Sequence, residues 1–152
     1  MSARTRVGVI GCGDVVLRKS GAALNAAPGS RLVAVMRRNE EKLREAAQRL
    51  KAPVATTNAA EVIAHPEVSA VYIATPPQYQ LGYALAVARA GKACLVEKPA
   101  GRSDRELEQM MQAFAAAGAP LYVSYYRRYL ARSAAVREVL RSGRLGPLVS
   151  VD

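Results

Sequence analysis

Apolar residues along this chain fall into short unbroken runs, separated by longer stretches where they recur every three or four positions. The runs at 6–10, 31–36, 70–74, 93–96 and 121–124 are rich in Val, Ile, Leu, Ala and Tyr and have no polar face. That pattern predicts strands of a parallel sheet covered on both sides. A weaker strand is predicted at 53–55. Between the runs, Asn39 is placed to cap a helix reaching Lys51, with Leu43, Ala46, Ala47 and Leu50 at helical spacing. A second helix is predicted over 78–90, ended by Gly91 where a left-handed residue is wanted. Ser103 with Glu106 three residues later reads as a capping box, opening a helix that ends near Gly118. A further helix over 131–142 stops at Gly143, and 148–151 begins another strand. Strict alternation of strand and helix implies right-handed crossovers and a doubly wound α/β sheet. Ligands of such sheets bind at the carboxyl ends of the strands, where the strand order reverses. The residues just after each strand are therefore the ones to inspect.

Bulk properties narrow the setting. A chain of 152 residues, 51% hydrophobic and 22% charged, suits one well-buried core rather than two domains or a disordered segment. Its longest apolar runs are strand-sized, which argues against a membrane span. Val7 to Ile10 already reads as core, leaving no room for a secretory signal, so the cytoplasm is the expected compartment. Cys12 and Cys94 have neither metal-ligand nor disulfide spacing, and free thiols with no metal site are expected. The net charge of +10 raises the question of nucleic acid. The cations are mostly arginines scattered beside acids in helical segments, without a basic tail or an aromatic-interleaved stripe. No nucleic-acid or membrane partner is expected; solvated arginines and an anionic ligand account for the charge.

The first strand is followed by Gly11-Cys12-Gly13, then Asp14, Val15 and Val16. Gly11 and Gly13 match the first two glycines of a dinucleotide fingerprint: one for the sharp turn, one for close approach of backbone to pyrophosphate. The third position is Val16 instead of Gly or Ala, which predicts looser packing of helix on strand. A glycine turn with no ligand is the competing reading; its place between strand and helix favours the nucleotide. The second strand ends in Arg37-Arg38, where an NAD site normally carries an acid. Two guanidiniums there suit the 2′-phosphate of NADP through charge-assisted hydrogen bonds. NADP is thus the preferred cofactor, with NAD still possible and two solvated loop arginines the plain alternative.

The fourth strand ends in Thr75-Pro76 and the fifth in Glu97-Lys98-Pro99. With the glycine turn and Gly143-Arg144-Leu145-Gly146-Pro147 near the end, these motifs make the chain resemble the Gfo/Idh/MocA (glucose–fructose oxidoreductase/inositol dehydrogenase) family along nearly its whole length. The Glu-Lys-Pro is the most specific of them. The resemblance implies a Rossmann coenzyme domain at 1–124. It also implies that 125–152 are a connecting helix and the first strand of a substrate domain that is otherwise lacking. It further implies that Lys98 is catalytic, reaching the substrate hydroxyl and nicotinamide, that Glu97 bonds the adjoining ribose, and that Thr75 and Pro76 line the cofactor cleft. Independently, a lysine at the end of a buried strand is costly unless something anionic or hydroxylated receives it. After the sixth strand, the resemblance makes Tyr126 and Arg127 candidates for the nicotinamide or substrate side, and either could be the one facing the cleft. A docking surface for a partner domain is the alternative for that segment.

The chain departs from the family where a histidine is common after the Thr-Pro, reading Gln78-Tyr79-Gln80 instead. The single histidine, His65, precedes Pro66 in a loop, and no catalytic role is expected of it. The resulting expectation is the coenzyme-binding portion of an NAD(P)-dependent enzyme that interconverts alcohol and ketone on a sugar, cyclitol or similar small molecule. It would be catalytically incomplete by itself, and a homo-oligomer only with the second domain present. A stand-alone NADP(H)-sensing module is the alternative.

Overall fold

The computed structural model describes residues 4–147 and 149–150. Its strands are β1 (Thr5–Ile10), β2 (Ser30–Met36), β3 (Val54–Thr56), β4 (Ala70–Ile73), β5 (Ala93–Val96) and β6 (Leu121–Val123). They form one parallel sheet in the order β3-β2-β1-β4-β5-β6, so the winding reverses between β1 and β4. The helices are α1 (Gly21–Ala26), α2 (Glu40–Leu50), α3 (Ala59–Ala64), α4 (Pro77–Arg89), α5 (Asp104–Ala116) and α6 (Ala131–Arg141). This is the doubly wound α/β fold that the pattern predicts.

The absence of a polar face on the strands has a direct cause in the two layers. Val71 and Ile73 enter a core with Ile63, Val87, Met110 and Phe114, while Tyr72 between them enters one with Val16, Leu43 and Leu50 on the opposite face. Both cysteines are buried and free. Asn39 caps α2 as expected, its side chain accepting from the Lys42 N–H at 2.9 Å.

Four details differ from expectation. The capping box of α5 is half formed: Ser103 accepts from the Glu106 N–H at 3.4 Å, but the Glu106 carboxylate turns to Arg102, meeting its N–H at 2.8 Å and its Nε at 2.7 Å. A guanidinium offers that carboxylate a stronger partner than the cap amide does. α4 begins one residue early because Pro77, with no N–H to leave unpaired, suits the first helical position. The helix after β1 starts at Asp14 and passes into a π-helical turn, Val16–Ser20, and the tightest approach comes later, at Gly21. A Cβ there would lie 2.5 Å from Leu50 Cδ2 and 2.6 Å from the Val16 carbonyl oxygen. Val16 itself is fully buried, so packing continues past the missing third glycine. Of the strand expected over 148–151, 149 and 150 carry no strand, and 148 and 151 lie outside the described residues.

α6 buries none of its residues. Among the described residues no helix is long and apolar enough to cross a membrane, and no group of three or more His, Cys, Asp or Glu is placed to hold a metal.

Candidate functional site

The crevice opens where the winding reverses, above the carboxyl ends of β1, β4 and β5. Its floor is the glycine turn. The Gly11 and Cys12 N–H groups both donate to the Met36 carbonyl at 3.1 Å, tying the end of β1 to that of β2. Gly11 has φ +92, and a Cβ on it would lie 2.7 Å from Thr75 Cγ2 and 2.9 Å from the Ala74 backbone. No larger residue fits there. A Cβ on Gly13, by contrast, would meet nothing within 4 Å, because this glycine faces open space. The Leu17 N–H donates to the Gly13 carbonyl at 3.0 Å, closing the first helical turn. The N–H groups of Asp14, Val15 and Val16 precede it and are the orphan donors of a helix start, suited to an anion. Burial pushes the Cys12 thiol up to about 11, so at neutral pH it is an uncharged packing group.

Thr75 stands at the centre. It borders both of the crevice's clefts, and its Oγ1 is buried with no hydrogen-bond partner among the described residues. Leaving a buried hydroxyl unpaired costs about 1–3 kcal/mol, which a polar ligand in the crevice would relieve.

On one side of Thr75 lies a cleft of about 340 Å3, walled by Gly13, Arg37, Arg38, Lys42, Pro76 and Tyr79 among others. Arg37 and Arg38 do different things in it. Arg37 is half-buried and donates from one guanidinium nitrogen to the Cys12 carbonyl at 3.0 Å, bracing the glycine turn. Arg38 is exposed and sits over the Tyr79 ring, 4.9 Å from its centroid. Lys42 adds a third cation that sequence reasoning missed; as a helix-surface lysine it carried no signal until α2 was seated beside the turn.

On the other side lies a cleft of about 790 Å3 that brings together Asp14, Val15, Thr75, Pro76, Glu97 and Lys98, and Tyr126 from the 3-10 turn Tyr126–Tyr129. Arg127 is not among its walls; it lines an adjoining cleft with Tyr126 and Lys98. Of the two aromatic–arginine candidates, Tyr126 is therefore the one bordering the larger cleft. The Lys98–Pro99 peptide bond is cis. Glu97 is oriented from below: its Oε1 accepts from the Tyr72 hydroxyl at 2.6 Å and its Oε2 from the Lys98 N–H at 3.1 Å. The Ser20 hydroxyl donates onward to the Tyr72 oxygen at 3.2 Å. Burial, followed by the Glu97 hydrogen bond, holds the Tyr72 phenol above its usual range, so it remains a donor.

Gln80 locks these loops together. Its side-chain amide donates to the Thr75 and Glu97 carbonyls, each at 3.1 Å, and its Oε1 accepts from the Gly101 N–H at 2.7 Å. It belongs to the Gln78-Tyr79-Gln80 segment after the Thr-Pro, where the sequence showed a departure but not this role. His65 ends α3, accepts from the Glu67 N–H at 3.2 Å, and lines none of these clefts.

Comparison with known proteins places this geometry. The family model described as "Oxidoreductase family, NAD-binding Rossmann fold" matches residues 5–125. An oxidoreductase of Formosa agariphila is 39% identical over 152 residues, which is 100% of this chain and 47% of the relative. The WlbA dehydrogenase of Bordetella pertussis, crystallised with NADH and UDP-GlcNAcA, superposes with TM-score 0.84 at 26% identity, over 96% of this chain and 42% of that one. KijD10, a 3-ketoreductase of Actinomadura kijaniata crystallised with NADP and TDP-benzene, gives 0.84 at 26%, over 92% and 43%. The chain thus spans under half the length of the proteins it matches.

Proposed function

The chain belongs to the GFO_IDH_MocA family of oxidoreductases, and from that premise we propose that it is the coenzyme portion of an NADP(H)-preferring enzyme interconverting an alcohol and a ketone on a sugar, cyclitol or similar small molecule. The observation that carries the reading is the buried, unpartnered Thr75 hydroxyl between an open glycine turn and a strand-end lysine. A dinucleotide fits these residues. Gly13 leaves room for a pyrophosphate against the N–H groups of 14–16, Thr75 and Pro76 line its path, and Glu97 and Lys98 wait at the far end.

Bound there, the nicotinamide supplies the hydride acceptor or donor. Lys98, exposed at the cleft wall, donates a hydrogen bond to the reacting substrate oxygen and steadies the negative charge that develops on it. Each Glu97 oxygen already accepts one hydrogen bond and keeps a lone pair for a ribose hydroxyl. Tyr126 closes the larger cleft, Arg127 the adjoining one, and residues 125–152 lead toward a substrate domain supplying the remaining acid–base group.

The cofactor preference rests on Arg38 and Lys42, with Arg37 contributing whichever N–H groups its bond to Cys12 leaves free. A charged hydrogen bond contributes about 1.5–3 kcal/mol, so NADPH should bind roughly ten- to a hundredfold more tightly than NADH. Calorimetric titration of the chain with both coenzymes tests this. Arg38→Ala should weaken NADPH and leave NADH nearly untouched. Arg37→Asp should invert the preference while also removing the brace on Cys12, which makes Arg38 the cleaner site. NADH binding the parent chain as tightly as NADPH would refute the assignment.

A further inference from the structure

We propose that the cleft beside Lys98 is a subsite for an oxyanion carried by the substrate, either a carboxylate or a phosphate ester. This rests on the preceding reading in one respect, that the larger cleft is where the substrate reacts.

The subsite has a volume of about 430 Å3, and Lys19, Lys98, Ser124, Tyr126, Arg127 and Arg128 wall it. Its four cations come from three separate segments: the π-helical turn, the loop after β5 and the 3-10 turn. Among the described residues, ion pairs are formed by Arg31, Arg44 and Arg102, so none of the four is paired. No carboxylate lines the cleft. The neighbouring Glu97 keeps its negative charge, since both of its donors are neutral, but it lies in the wall of the larger cleft and not of this one. Four cations around one concavity, with the Glu97 carboxylate outside its walls, repel each other and favour an anion there. Arg127, by hydrogen bonding first and by its charge second, and then the charges of Lys19 and Lys98 hold the Tyr126 hydroxyl below the usual phenol range.

Position decides which molecule carries the anion. The subsite shares no residue with the cleft of Arg37, Arg38 and Lys42, so it is not the place for the coenzyme's 2′-phosphate. It shares Lys19, Lys98, Ser124 and Tyr126 with the larger cleft, so an anion held there is attached to the reacting substrate.

The test is calorimetric titration of the NADPH-saturated chain with D-glucuronate, D-glucose 6-phosphate and D-glucose. Both oxyanions should bind at least about tenfold more tightly than glucose, by an amount that shrinks with salt. The stronger of the two identifies carboxylate or phosphate ester as the natural group. Lys19→Gln and Arg127→Gln should each erase most of the advantage, whereas Arg127→Lys, which keeps the charge, should retain it. An oxyanion advantage that is absent, including no detectable binding of any probe, overturns the proposal; so does one that survives both Gln variants. If NADPH itself fails to bind, the coenzyme reading falls instead. The same titrations on the bare chain then still judge the subsite, because dependence on Lys19 and Arg127 separates it from the Arg38 cleft.

Discussion

Replacing Gln80 by Leu keeps the volume of a side chain that is 1% exposed while removing all three of its hydrogen bonds. The Thr75 and Glu97 carbonyls and the Gly101 N–H then lose this partner together. A buried group left unsatisfied costs about 1–3 kcal/mol, so three suggest about 3–6 kcal/mol once allowance is made for water reaching Thr75 from the crevice. That is a large part of the total stability of an ordinary domain. In urea unfolding the midpoint should fall sharply at unchanged slope, and the melting temperature should drop by about 2–4 °C per kcal/mol. Gln80→Glu should be at least as damaging at neutral pH, because a carboxylate cannot donate to two carbonyls. Gln80→His retains one ring N–H and should recover part of the loss. NADPH affinity should fall with stability in each variant, since the same amide holds the Thr75 turn against the Lys98 loop. A Leu variant within about 1 kcal/mol of the parent would refute the reasoning.

Three further outcomes are expected. Gly13→Val should fold with stability within about 1 kcal/mol of the parent, since a Cβ there meets nothing within 4 Å, yet lose NADPH binding by at least about tenfold because the side chain occupies the pyrophosphate's approach. Parallel melting and calorimetry check both halves, and unimpaired binding would remove the fingerprint. Thr75→Val, which replaces an unpartnered buried hydroxyl by a methyl, should raise stability by about 1 kcal/mol and weaken NADPH; loss of stability in the free chain would mean that the hydroxyl is already satisfied. Arg102 holds the Glu106 carboxyl below the usual glutamate range, so this pair's stabilisation is present above that range and lost as pH falls through the lowered value. Melting curves from neutral to acid pH should therefore flatten in Glu106→Gln, and an unchanged acid limb would show that the pair contributes nothing.

The strands, α2, α4 and α5 were legible in the sequence because their signals are local. Runs such as 93–96 are apolar on both sides because helices cover both faces, and Asn39, Ser103 and Gly91 mark helix ends by their own chemistry. The strand-end motifs were legible for another reason: the glycine turn at 11–13 by its place between strand and helix, and 75–76 and 97–98 by their resemblance to a known family. α3 was not, having six residues and too short a repeat to distinguish from loop. The division of labour between Arg37 and Arg38 was equally hidden. Adjacent and chemically identical, they diverge only because the Cys12 carbonyl lies 3.0 Å from one and the Tyr79 ring beneath the other. Gln80 reaches Glu97 across 17 positions and Gly101 across 21, and Tyr72 reaches Glu97 across 25, so no window along the chain contains these pairs. The same holds for the cation cluster, whose lysines and arginines come from the turn after β1, the loop after β5 and the segment after β6. Side-chain periodicity and turn chemistry act over a few residues and determine the sheet and where its crevice opens. Which side chains meet inside that crevice depends on distances between strand ends, and these exist only once the sheet has closed.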